Sequence, residues 1–210
     1  PKGQLRVTAS VSFGLTCIVP LLPQFESQYP DLTVDLLLTN AVVDLLAERV
    51  DVAVRLGPLA DSTLMAQRLM PTRYSVCASP AYLRQAPPQR QPQDVEHNNS
   101  LRFPLARFRS QWRFQDYDRV LTDVAVSGRT VISSAIALQQ CAIAGMGLAL
   151  LPHWLIEATI QRGDLVRVLP EYAVTATDFN TAAWLVYPSR SYVPRKVRVF
   201  IDFLKAALMD

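Results

Sequence analysis

The chain has 210 residues, half of them hydrophobic and 19% charged, with 21 Lys and Arg against 18 Asp and Glu. That length suits one large domain or two lobes with cores of their own, and the composition excludes a disordered tail. No apolar run reaches the roughly 18–20 residues that span a bilayer. No segment carries the dense basic stripe of a nucleic-acid face, since residues 1–79 sum to −1, 80–181 to +1 and 182–210 to +3.

Leu5, Val7 and Ala9 alternate and predict a strand, and Ser10-Val11-Ser12 then offers a helix N-cap. Leu15, Ile18, Val19, Leu22, Phe25 and Tyr29 share one helical face, interrupted by Pro20 and Pro23 and ended by Pro30. Leu32–Leu38 is an apolar strand, Val42–Arg49 a short helix, and Val50–Leu56 a third strand closed by Gly57-Pro58. This β-α-β-α-β order predicts a parallel sheet with right-handed connections.

Strands are expected at Leu64–Leu69 and Tyr74–Ala78, then a helical turn at Pro80–Leu83 and a Pro/Gln-rich lobe boundary or surface loop over 86–93. Short strands come next at Leu101–Phe103, Trp112–Phe114 and Val120–Val126. A helix spans Val131–Ala144, ended by Gly145, and the chain turns at Gly147 into a strand at Leu148–Leu151. Pro152 opens a helix that Gly163 ends, and a strand at Leu165–Leu169 comes after it. Ala182–Tyr187 is a buried strand, and Pro194–Leu208 is an amphipathic closing helix. A second α/β unit inserted between residues near 79 and 181 accounts for this order. Two lobes of this kind leave a cleft, and α/β sheets bind ligands beyond the C-terminal ends of their strands.

No G-x-G-x-x-G, P-loop or G-x-S-x-G motif occurs. Cys17, Cys77 and Cys141 are isolated in apolar surroundings and read as buried reduced thiols, with Cys17 the best placed for reactivity. His97 and His153 read as surface or capping residues. Asp44 and Glu48, four apart, read as a solvated helix face. Arg102, Arg107, Arg109 and Arg113, beside Trp112 and Phe114, read as a solvated loop or as donors to an anion or partner. No metal or cofactor is expected. The informative chemistry lies at strand ends: Ser10 and Ser12 after the first strand, Thr39-Asn40 after the second, Arg55 at the end of the third, and Ser133-Ser134 at the second lobe's helix. Polar groups there, beside free backbone N–H groups, suit a small anion.

The segments LRVTASVSFG, LLPQFESQYPDLTVDLLL, DLLAERVDVAVRLGPLADSTLMAQRL, CASPAYL, PQDVEHNNSLRF, AIAGMGLALLPHWL and VYPSRSYVPRKVRVFIDFL occur in this order. Together they resemble the effector-binding (regulatory) domain of LysR-type transcriptional regulators over essentially the whole chain. The resemblance implies an α/β fold of two Rossmann-like lobes joined by two crossover strands, similar to type II periplasmic binding proteins. Lobe one would be residues 1–78 plus 182–210, and lobe two the inserted residues 79–181. It also implies that the start at Pro1, without an initiator Met, is a cut that removed an N-terminal winged helix-turn-helix, through which alone the parent protein meets DNA.

The resemblance further implies a small-molecule effector, often an organic or aromatic acid, held in the interlobe cleft of a cytoplasmic protein. Ser10, Ser12, Thr39, Asn40, Ser133 and Ser134 match effector-contacting segments of the family, and Arg55, Phe103 and Pro152 match them more loosely. The fragment would form a head-to-tail homodimer and the full protein a tetramer, with no membrane partner. Peroxide-sensing members use a reactive Cys in lobe two. Cys141, the lobe-two cysteine by these boundaries, sits in an apolar helix with no resolving partner. The rival readings are a transporter's solute-binding protein of the same architecture and a two-lobe enzyme using Asp51 and Arg55.

Overall fold

In the computed structural model, residues 1–57, 64–188 and 193–208 are described, so the Pro58 expected to close the third strand lies outside them. The chain divides into two units, Pro1–Thr72 with Thr181–Asp210, and Arg73–Asn180. We call them lobe one and lobe two. The first crossing comes earlier than the expected boundary after residue 78. The reason is that Tyr74–Ala78 pairs with strands of the second unit. At the crossings Thr72 N–H donates to the Thr181 carbonyl at 2.9 Å, and Thr181 Oγ1 donates back to the Thr72 carbonyl at 2.9 Å.

Lobe one is built on strands β1 (Gly3–Ala9), β2 (Leu32–Leu38), β3 (Val52–Leu56), β4 (Met65–Pro71) and β12 (Ala182–Tyr187), in the order β2-β1-β3-β12-β4. β2 and β3 both run parallel to β1, as the alternating pattern predicts, and β12 runs antiparallel to β3 and β4. The stretch after β1 is helical but irregular. It passes from α1 (Val11–Phe13) through a π-helical turn (Gly14–Ile18) and a 3-10 turn (Val19–Leu21) to α2 (Leu22–Gln28). Pro20 and Pro23 lack N–H donors, and their rings would collide with carbonyls one turn back in a regular helix. Changes of helical pitch beside them relieve both problems.

Phe13, Ile18 and Phe25 are nevertheless fully buried. The closing helix α7 (Arg195–Leu208) seals this layer with Val197, Phe200, Ile201, Phe203 and Leu204. Phe25 meets Phe200 edge-on at 5.2 Å and Phe203 at 5.1 Å. The helix expected over Val42–Arg49 does not form. Asp44 Oδ1 accepts the N–H groups of Leu46 and Ala47, which holds the segment in turns, and Arg49 takes φ +52°. Val42 and Leu46 are left exposed.

Lobe two carries a sheet in the order β6-β9-β5-β11-β7-β8, with β10 also paired to β5. Its strands are β5 (Tyr74–Ala78), β6 (Ser100–Leu101), β7 (Gln111–Gln115), β8 (Leu121–Ala125), β9 (Leu148–Pro152), β10 (Val166–Val168) and β11 (Ala173–Thr175). The short helix α3 is Pro80–Leu83, and a second one not expected, α4, is Ala106–Ser110. β11 is a further strand that the sequence pattern does not announce. The Pro/Gln-rich stretch is no lobe boundary. It lies inside lobe two and leads into a 3-10 helix (Pro92–His97) opened by a reciprocal Gln91–Asp94 capping box.

The helix expected from Val131 begins later, as α5 (Ala135–Ile143), because residues 130–132 bond to Arg102 in extended form. Gly145 ends α5 at φ +80°. At Gly147 a Cβ would come 2.3 Å from the Asn99 carbonyl oxygen, so the turn into β9 admits no side chain. α6 (His153–Gln161) packs with α5 on one face of the sheet, where Gln139 Nε2 donates to Thr159 Oγ1 at 2.7 Å and to the Leu155 carbonyl at 2.9 Å. Trp112 and Phe114 fill the core on the other face with Val76, Leu148 and Leu150.

Candidate functional site

The register of lobe one aligns its strand ends. Ala9 pairs with Leu38 on one side and with Val54 on the other, so Thr39, Ser10 and Arg55 come side by side at the C-terminal edge of three parallel strands. Thr39 N–H donates to the Ala9 carbonyl at 2.9 Å and extends the ladder by one residue. Ser10 sits at the N-cap position in extended geometry, but its hydroxyl caps nothing. The first helical N–H, that of Val11, goes instead to Asn40 Oδ1 at 3.2 Å. Thr39 Oγ1 accepts from Ala41 N–H and shapes the loop carrying Asn40. Ser12 is buried just beyond.

Among the described residues, this arrangement leaves two buried polar atoms at the edge with no hydrogen-bond partner, Ser10 Oγ and Arg55 Nη2. Burial lowers the Arg55 pKa from its ordinary value, yet a guanidinium remains cationic at neutral pH. A buried donor without an acceptor costs about 1–3 kcal/mol, more when charged. An oxyanion at this edge would supply the missing acceptor.

Lobe two brings its own expected residues to one end of its sheet. Phe103 comes directly after Arg102, which bridges Val131, and the Ile132 N–H donates to the Arg102 carbonyl at 2.9 Å. Ser133 and Ser134 therefore enter α5 beside Phe103. Ser134 Oγ caps the helix by accepting the Ala137 N–H at 3.3 Å, and Ser133 is exposed. Pro152 ends β9, parallel to β6 at the same end, and is buried opposite Tyr74. The rings of Phe103, Phe108 and Tyr74 form a chain, with centroids 6.1 and 5.6 Å apart.

Sequence reasoning misses one polar pair at this end. Ser75 Oγ and His153 Nε2 lie 2.8 Å apart, and the His153 backbone N–H donates to the Arg73 carbonyl at 2.8 Å. His153 is half-buried rather than a surface residue. Its pKa is lowered by burial first and by Arg167 and Arg73 next, against opposing contributions from a Tyr74 backbone hydrogen bond and the Glu157 carboxylate. Glu157 is itself held by Arg167 at 2.7 Å. Among the described residues no carboxylate hydrogen-bonds to the His153 ring, as a Ser-His-acid triad requires.

Other candidates have structural occupations. Asp51 Oδ2 accepts from the Arg6 N–H at 2.9 Å and from Lys196 Nζ at 2.6 Å, tying α7 to β1, which weakens its reading as a catalytic acid. Asp44 shapes a turn. Arg113 pairs with Asp123 through two hydrogen bonds of 2.6 Å, and Arg102 Nη2 donates to the Gly128 carbonyl at 2.6 Å. Cys17 and Cys77 are buried and their thiols are pushed up to about 12, so neither supplies a thiolate at neutral pH. With the crossing at Thr72–Arg73, Cys77 joins Cys141 in lobe two.

Residues 1–209 match the family described as the LysR substrate binding domain. The chain is 32% identical over 208 residues to the HTH-type transcriptional regulator PtxR of Pseudomonas aeruginosa, covering 99% of this chain and 65% of that protein. It is 32% identical over 199 residues to an uncharacterized HTH-type transcriptional regulator of Haemophilus influenzae, covering 93% of this chain and 66% of that one. The chain thus spans just under two thirds of the length of these relatives. Among solved structures, the regulatory domain of CrgA, a LysR-type transcriptional regulator from Neisseria meningitidis, is similar with a TM-score of 0.85 at 29% identity, covering 99% of this chain and 100% of that one.

Proposed function

Because this chain belongs to the LysR substrate-binding-domain family, we propose that it is the effector-sensing and oligomerisation domain of a LysR-type transcriptional regulator, tuned to a small organic acid. The parent protein would meet DNA through a separate N-terminal domain, in the cytoplasm. Among the described residues no helix is long and apolar enough to cross a membrane. The observation that carries the acid reading is the row Thr39–Ser10–Arg55, with Ser10 Oγ and Arg55 Nη2 buried and unpartnered among the described residues. A carboxylate satisfies both donors, and a charge-assisted bond from Arg is among the stronger polar contacts. Within lobe two, the rings of Phe103, Phe108 and Tyr74 offer a surface that suits an aromatic or apolar body. In this reading the effector binds at the C-terminal strand edge of lobe one. It shifts the parent regulator only by its differential affinity for the regulator's two states.

A thermal-shift screen against metabolite acids tests the proposal. An acid at 100 times its dissociation constant stabilises by about 2.7 kcal/mol, a rise of about 5–10 °C for a chain of this size. The Ser10→Ala/Ser12→Ala double variant is expected to weaken the hit about tenfold. Unchanged affinity in that variant would move the site away from this edge.

A further inference from the structure

The opposite end of the lobe-one sheet, where β3 begins and β12 ends, holds a cavity of about 320 Å³. It lies near the lower bound of small-molecule pockets. Val50, Pro188, Val193, Pro194 and Val197 line it together with Asp51 and Tyr187. β3 separates it from Arg55, since Asp51 precedes the strand and Arg55 lies near its end. The two places are therefore distinct.

The polar atoms define what the cavity accepts. Asp51 is already neutralised by Lys196, whose Nζ sits 2.6 Å from Oδ2. Oδ2 takes the two hydrogen bonds given to this carboxylate, which leaves Oδ1 as an acceptor. Tyr187 Oη accepts from Gln67 Nε2 at 2.7 Å. A second anion would meet the Asp51 carboxylate at close range, and a second cation would compete with Lys196. Neither is favoured beside an ion pair whose charges already match. We propose that this cavity binds a small, neutral, mostly apolar molecule carrying a single N–H or O–H donor, which bonds to Asp51 while its ring or alkyl body packs on the valines.

Indole serves as the probe, on the 210-residue protein with methyl-labelled valines. Indole is expected to shift the Val193 and Val197 methyl signals with saturation below about 1 mM, and its ring protons should give intermolecular contacts to Val197. Val193 is half-buried and lines the cavity, so Val193→Trp fills it without opening the core and should weaken indole at least tenfold. Arg55→Ala should leave indole binding unchanged. Absence of methyl shifts at millimolar indole overturns the proposal. So does benzoate shifting these methyls as strongly as indole, or loss of indole binding in Arg55→Ala. Should Val193→Trp misfold, the intermolecular contacts to Val197 decide alone.

Discussion

Burial strips the charged form of His153 of its hydration, and Arg167 and Arg73 add like-charge repulsion, so the folded state holds this imidazole neutral below its ordinary pKa. In the unfolded chain a histidine titrates near 6.5. Above that pH both states bind the same number of protons. As pH falls through and below that value, the unfolded state takes up its proton first, and stability is lost until the folded pKa is passed. Urea midpoints are therefore expected to fall between pH 7.5 and 5, and His153→Gln should flatten that part of the curve. An unflattened curve would assign the dependence to other groups. The residues of the lobe-one edge are legible in the sequence because Leu5–Ala9 and Leu32–Leu38 advertise their strands, and the residue after the last one of a strand must sit at the sheet's edge. The Ser75–His153 pair is not legible. Its partners are 78 residues apart and meet only because β5 and β9 are antiparallel neighbours.

At the scale of elements, apolar periodicity locates nearly every strand, and it fails where a side chain competes for the backbone. Val42, Leu45 and Leu46 have helical spacing, but the Asp44 carboxylate takes the N–H groups that a helix would use. Residues 131–134 look helical by composition, but Val131 and Ile132 are instead held extended by Arg102. The segment 11–28 shows the converse case. Two prolines argue against a helix, yet a stack of fully buried Phe13, Ile18 and Phe25 keeps one in place with altered pitch. Phe25 anchors that packing through Tyr29, Phe200 and Phe203. Phe25→Ala is expected to cost about 3–5 kcal/mol. Chemical denaturation measures this, and a loss under about 1 kcal/mol would mean that packing on α7 does not hold the irregular helix.

For the molecule as a whole, the interleaved order of the lobes results from where the chain crosses, at Thr72–Arg73 and Asn180–Thr181. Sequence reasoning places the first crossing late because nothing local distinguishes β4 from β5. Only pairing partners assign each to its sheet. Lobe one also carries features that support self-association. β2 is an edge strand, and Leu15, Val19, Val42 and Leu46 are exposed on the neighbouring segments. A dimer is expected by sedimentation at high micromolar concentration, and Leu15→Asp with Val19→Asp should shift it toward monomer. A monomer at every concentration would count against an oligomerisation role.

The central claim is that the Arg55 edge reads negative charge. Isothermal titration of one acid found by thermal shift, against the primary amide of the same molecule, tests it most directly. A charge-assisted bond is worth about 1.5–3 kcal/mol, so the wild-type protein should prefer the acid by about 10- to 100-fold, and Arg55→Ala should erase that preference while leaving the fold intact. Equal binding of acid and amide by the wild type, or an undiminished preference in Arg55→Ala, would contradict the account.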